Sequence, residues 1–186
     1  MDHRRIVFTR FNGDGKEMFN DLYAIDPDGK NEARLTMNPG PDGKYIDYAG
    51  PRYNRDGTLI AFVSTKNHER TLYNILLMDL ATRKPAQITT VDLHISSGEW
   101  CADDSRLVFA GADEKGLQQV HAVAMDGTGF TRLTTGPSEH MNPMWSPRGD
   151  LIAYVQFAPG SKSSHLWVMD PTGREQRQLT TDDTLH

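Results

Sequence analysis

One unit of sequence is written four times along this chain, and that repetition leaves few folds open to it. The runs 22–26, 75–79, 120–126 and 166–170 are each short, apolar and closed by an aspartate: Asp26, Asp79, Asp126 and Asp170. A turn rich in Gly, Pro or Lys follows each run, which is a hairpin signal. After the turn comes a second short strand ending in a hydroxyl residue, as Leu35-Thr36, Ile88-Thr89, Leu133-Thr134 and Leu179-Thr180. Ile88 and Leu133 stand 45 residues apart, and Leu133 and Leu179 stand 46 apart.

The unit has two more parts. An aromatic residue precedes a polar turn at Tyr53-Asn54, Trp100-Cys101 and Trp145-Ser146, and a β-prone run follows at 59–63, 107–110 and 151–155. The first repeat keeps only this last run, at 6–9. Each unit therefore reads as four strands, a to d: the aromatic strand, the apolar run, the run ending in Asp, and the Leu-Thr strand. Four-stranded units at a period in the forties are the mark of propeller blades. The expected fold is all-β, a β-propeller array of four four-stranded blades at about 4–36, 48–90, 96–135 and 141–181, the first lacking its innermost strand. Twisted sheets of this kind must stack to bury their faces, so Tyr53, Trp100 and Trp145 are assigned to the core between blades.

The best-preserved unit, Trp145-Ser146-Pro147-Arg148-Gly149-Asp150-Leu151-Ile152-Ala153-Tyr154-Val155, then Leu166-Trp167-Val168-Met169-Asp170, then Gln178-Leu179-Thr180, resembles the repeat of the TolB-like, WD40-like propellers. The resemblance covers nearly the whole chain and departs from the pattern where Asp103-Asp104 and Pro147-Arg148 replace the usual Pro-Asp pair. It implies a propeller, but the family is mixed in function, including partner-binding proteins, front domains of prolyl-oligopeptidase-like peptidases and metal-dependent lyases of pectic oligomers. A fold shared this widely does not assign an activity.

Four blades are few for such a propeller. An unclosed array leaves an apolar face and bare strand edges open. Self-association is expected, two chains pairing as a homodimer to close an eight-bladed ring. A self-closed four-bladed ring and a fragment of a larger protein are the alternatives.

Composition narrows the partners. A net charge of -5 with scattered Lys and Arg offers no basic patch, so nucleic acid is not expected. No window approaches the eighteen apolar residues of a membrane span. The single cysteine, Cys101, forms no internal disulfide. The compartment follows from completeness: cytoplasmic for a complete sequence, periplasmic for a mature or truncated one.

The d-to-a and b-to-c links share one end of the blades and are longer and more varied than the hairpin turns at the other end, which makes them the expected binding face. His94, His140 and His186 recur there at intervals of 46 residues, just before the aromatic strand, with Tyr48 in the corresponding place of an earlier unit and Glu139 beside His140. These residues are the candidate ligand-binding set. Imidazole is a common metal ligand, so His94, His140 and His186 are also the candidate metal ligands; otherwise no cofactor is expected. His121 and His165 align in the same way at the start of the c strands and are assigned to strand capping. The loop 38–47, with Pro39, Gly40, Pro41 and Gly43, is the main departure from the repeat. The expected function is a non-catalytic scaffold that recognises a protein or small polar ligand on this face. The alternatives are a metal-dependent carbohydrate-active lyase or hydrolase and the propeller portion of a peptidase-like protein.

Overall fold

A computed structural model of the chain describes residues 5–13, 18–38, 45–65, 72–91, 93–112 and 115–181. Among them are fifteen strands, numbered in chain order, and no helix. They form four antiparallel sheets. The first has three strands, β1 (Ile6–Gly13), β2 (Met18–Ile25) and β3 (Ala33–Arg34). The second has four, β4 (Tyr48–Tyr53), β5 (Leu59–Thr65), β6 (Tyr73–Asp79) and β7 (Lys84–Gln87). The third contains β8 (His94–Trp100), β9 (Arg106–Ala112), β10 (Gln118–Ala124) and β11 (Thr131–Arg132). The fourth contains β12 (Glu139–Trp145), β13 (Ile152–Phe157), β14 (Ser164–Met169) and β15 (Arg177–Gln178). Neighbours in each sheet are neighbours in sequence, as in a meander.

The chain divides into two compact units, Met1–Gly98 and Glu99–His186, with the boundary inside β8. In the first unit Leu22, Ala24 and Leu35 of the first sheet pack on Ile60, Phe62 and Met78 of the second. In the second unit Val108, Val120, Ala122 and Leu133 of the third sheet pack on Ile152, Tyr154 and Met169 of the fourth. The two cores use the same repeat positions. Tyr53 and Trp145 lie half-buried against these cores, and the middle strands β5, β9 and β10 are buried along almost their whole length. Such strands show no polar alternation. β7, at a sheet margin, is exposed throughout.

The signature aspartates act as turn locks. Asp170 Oδ1 accepts the Thr172 and Arg174 backbone N–H groups at 2.8 and 2.9 Å, Asp126 Oδ1 accepts Thr128 N–H at 2.9 Å, and Asp79 Oδ1 accepts Thr82 N–H at 2.8 Å. The Thr172 hydroxyl on Asp170, the Thr128 hydroxyl on Asp126 and the Thr82 N–H on Asp79, with the other turn donors, favour the carboxylate over the neutral acid, so the three pKa values lie below the ordinary range. The residue after each aromatic does the same for the a-to-b turn. Asn54 Oδ1 accepts Thr58 and Leu59 N–H, both at 2.9 Å, and Ser146 Oγ accepts Asp150 and Leu151 N–H at 3.2 and 3.1 Å. Cys101 stands in this place in the third sheet: its Sγ accepts Arg106 N–H at 3.2 Å and donates to Asp103 Oδ1 at 2.7 Å. That thiol, with the Ser105 hydroxyl and N–H, holds the Asp103 carboxyl at a pKa of about 2.

Each of β4 and β12 carries a bulge against its partner strand, between Ala49 and Arg52 and between Met141 and Met144. Gly50 (φ 58°) and Asn142 (φ 49°) take the left-handed conformation there, the geometry that admits one extra residue.

Candidate functional site

At the loop end of every sheet one polar side chain begins the c strand, immediately before its first apolar residue. These are Asp21, Asn74, Gln119 and His165, and a threonine follows each by 15 residues: Thr36, Thr89, Thr134 and Thr180. The threonine hydroxyl accepts the N–H of the apolar residue at 2.8–3.0 Å in all four sheets, from Leu22, Ile75, Val120 and Leu166. In the first three it also donates to the polar side chain, at 2.7 Å to Asp21, 3.3 Å to Asn74 and 2.9 Å to Gln119. The hydroxyl that closes each Leu-Thr strand is therefore a bolt joining the d strand to the start of the c strand. Among the described residues Asn74 Nδ2 and His165 Nδ1 are buried and meet no hydrogen-bond partner.

The first of these locks is the most elaborate. Asp21 is wholly buried, and its carboxylate also accepts from Asn38 Nδ2 (3.2 Å), Asn12 Nδ2 (3.0 Å) and the Arg34 guanidinium (2.5 Å). A buried carboxylate survives because it is paired and fully hydrogen-bonded. Asn38 turns this network toward the long loop: its Oδ1 accepts Ile46 N–H at 2.8 Å and its Nδ2 donates to Ile46 O at 2.7 Å. The base of the 38–47 loop is thus pinned to the sheet, while 39–44 lie outside the described residues.

In the third sheet the lock takes in a histidine. Gln119 Oε1 meets the His140 Nδ1 at 3.1 Å, and Gln119 Nε2 donates to Ser138 O at 2.8 Å. His140 is 3% exposed and lies 5.5 Å from the Tyr154 ring. Its pKa is lowered, mainly because burial disfavours imidazolium.

The histidines are phased differently from the sequence expectation. Strands β8 and β12 begin at His94 and Glu139, so His94 and His140 sit within strands, not ahead of them. Counted back from the aromatic, Trp100 or Trp145, His94 matches Glu139, and Ile95 matches His140. Burial agrees: Ile95 and His140 are 1% and 3% exposed, whereas His94 and Glu139 face solvent. A one-residue offset in a strand sends the side chain to the opposite face. The interval of 46 between the histidines exceeds the 45 between Trp100 and Trp145, and that single residue is the whole error. Tyr48 is in the true place of His140, pairing with Ser64 as His140 pairs with Gln156 and packing edge-on to Phe62 at 5.9 Å. His186 lies outside the described residues. Among the described residues no group of three His, Cys, Asp or Glu side chains is placed to hold a metal.

His121 and His165 are likewise not equivalent. His165 precedes the first apolar residue of its strand and His121 follows it, so Gln119 is the counterpart of His165. His121 stacks between Phe109 and Phe130, with ring centroids at 5.6 and 5.4 Å, and its Nδ1 contacts Gln119 O at 3.0 Å. Burial drives its pKa down to about 4. Pattern reading set Asp21 and Asn74 at this place only as counterparts of the two histidines and missed Gln119; the constant separation of 15 from a threonine was the available signal.

The hairpin-turn end holds two inter-sheet clefts. One, of about 450 Å³, is in the first unit and is lined by Arg5, Leu35, Tyr53, Asp79, Leu80 and Arg83 among others. The other, of about 190 Å³, is at the corresponding place in the second unit, beside Cys101, Arg106, Trp145 and Pro171. Arg5 is occupied, donating to Asp26 Oδ1 at 3.0 Å and to Ala24 O at 2.9 Å. Burial pushes the Tyr53 phenol up.

Repeated antiparallel meander sheets, packed in face-to-face pairs within each unit, define the chain as a β-propeller repeat protein. Residues 44–185 match the TolB beta propeller domain, and the chain belongs to that family. It is 26% identical to the Tol-Pal system protein TolB of Gluconobacter oxydans, over 97% of this chain and 47% of that protein. The crystal structure of TolB from Acinetobacter baumannii shares its fold with a TM-score of 0.71 at 17% identity, over 95% of this chain and 41% of that one. A prolyl endopeptidase structure reaches 0.70 at 12% identity, over 98% and 29%. The chain thus spans less than half the length of each of these proteins. No helix among the described residues is long and apolar enough to cross a membrane.

Proposed function

We propose that this chain is a non-catalytic, protein-binding propeller module, used as its relatives named for the Tol-Pal system are, and that the loop end of its sheets is the recognition face. One observation carries the reading. At that end buried polar groups are tied into internal locks, Asp21 with Thr36, Asn38 and Arg34, and His140 with Gln119, while His94, Glu139 and Met37 face solvent. Groups already spent on the scaffold make a rigid platform, and exposed side chains set on it suit surface recognition. Met37 is 72% exposed, and an unbranched thioether adapts readily to a partner's surface.

Site-specific photo-crosslinking in the source cell tests this. A benzophenone side chain at position 94 or 139 is expected to give a discrete protein adduct, and one at position 56 or 148, in the hairpin turns, is not. Adducts from the turn positions alone would move the recognition face to the other end. The metal-dependent alternative is tested on protein purified without a tag: a stoichiometric transition metal that is lost in a His94→Ala variant would replace the present reading with an enzymatic one.

A further inference from the structure

The threonine that bolts each sheet is followed by a residue the fold turns outward, and the first sheet fills that place differently from the rest. Thr36, Thr89 and Thr134 are 9%, 3% and 1% exposed. The next residue faces solvent in all four sheets, as Met37, Thr90, Thr135 and Thr181. The exposure belongs to the position, since Thr90 and Thr135 of the second and third sheets show it as Met37 of the first does. Three sheets write threonine there and the first writes methionine. Met37 is 72% exposed, the most of any large apolar side chain among the described residues.

The backbone beneath Met37 is held on both sides. Thr36 Oγ1 donates to Asp21 Oδ1 at 2.7 Å and accepts Leu22 N–H at 3.0 Å. Asn38, 8% exposed, donates to Asp21 Oδ1 at 3.2 Å and binds both backbone groups of Ile46. With residues 36 and 38 anchored inward, the thioether between them stands on a fixed base at the loop end. The other described methionines are placed otherwise: Met78 and Met169, 2% and 0% exposed, belong to the two cores, while Met125 and Met144 adjoin hairpin turns at the opposite end.

We propose that Met37 is a reversible oxidation site that regulates the recognition face, an inference that rests on the loop end being that face. The co-reactant is a two-electron oxidant of the peroxide class. The sulfur lone pair attacks one peroxide oxygen, the S–O bond forms as the O–O bond breaks, and the proton of the transferred oxygen leaves with the departing hydroxide as water; sulfur is oxidised and the peroxide reduced. The sulfoxide is polar and chiral where the thioether was apolar, and a thiol-dependent reductase reverses the change. A partner closing on the sulfoxide must strip water from the new oxygen, which costs free energy unless the partner supplies a donor.

Peptide mapping by mass spectrometry after limited hydrogen peroxide treatment reads the site. Met37 is expected to gain oxygen on the order of tenfold faster than Met78 or Met169. Oxidation of Met37 no faster than of these two overturns the proposal. Photo-crosslinking of the purified chain, with benzophenone at position 139 and the peroxide removed before source-cell extract is added, reads the regulation. Oxidation is expected to lower the adduct yield, and a methionine sulfoxide reductase to restore it. Met37→Gln, which sets a polar amide in the same place, is expected to show the low yield without peroxide. The Met125→Leu, Met144→Leu double variant is expected to keep the peroxide response. A yield that peroxide leaves unchanged, a full yield from Met37→Gln, or a response lost in the double variant overturns the regulation and leaves the recognition face standing. No adduct from the unoxidised chain at position 94 or 139 removes the recognition face, and the regulation falls with it.

Discussion

His121 shows how much one side chain owes to its surroundings. It is 5% exposed, lies between two phenyl rings and is held neutral, with a pKa of about 4 against an ordinary 6.5. The unfolded chain accepts the proton first as acidity rises, so its contribution is complete above about pH 6.5 and is lost as pH falls toward about 4. The loss is on the order of 2–3 kcal/mol at the acid limit. A His121→Phe variant is expected to have a flatter dependence of Tm on pH between 7 and 4 than wild type, and parallel thermal melts across that range measure it. Parallel slopes would mean that the imidazole is hydrated in the folded state. The sequence reading paired this residue with His165, whereas its position matches Tyr23, Leu76 and Trp167 of the other sheets, an apolar place that holds a histidine.

Among elements, the sheet is held by its bolt. Thr134 Oγ1 both receives Val120 N–H and donates to Gln119 Oε1, and all three groups are buried. Thr134→Val keeps the shape, strands the Val120 N–H and leaves Gln119 Oε1 with only His140, at a cost of about 1–3 kcal/mol. Urea unfolding is expected to show a lower midpoint with the slope unchanged. The strands themselves were legible in the sequence, since hairpin turns, terminal aspartates and Leu-Thr endings are local chemistry repeated four times. The phase of the a strands was not. Counting from histidine to histidine instead of back from Trp100 and Trp145 misplaced His94 by one position, although Ile88 to Trp100 and Leu133 to Trp145 are equal intervals. Trp145 and Tyr53 were placed correctly because bulky aromatics beside a turn have little choice but the space between sheets.

For the whole molecule, the self-association expected from blade count makes stability a property of concentration. If two copies complete each other, every tenfold increase in chain concentration adds about 1.4 kcal/mol to the folded dimer. Melting temperature is therefore expected to climb with chain concentration across a dilution series, which differential scanning calorimetry follows. A level series would remove self-association. The expectation of self-association came from blade count alone; the exposure of single residues is something no pattern of letters records, because Leu179 is written like Leu133 and is 42% exposed against 6%.

The fifteen-residue interval between polar strand-start and threonine is the same in all four sheets. It acts as a fixed gauge: the bolt reaches only if the hairpin between its two ends keeps its length. The connections at the opposite end, from 38–47 onward, carry no such gauge. Diversity can therefore be written into this scaffold at one end and not the other, and a library of loop lengths would survive selection for folding only where the chain passes from d strand to a strand or from b strand to c strand.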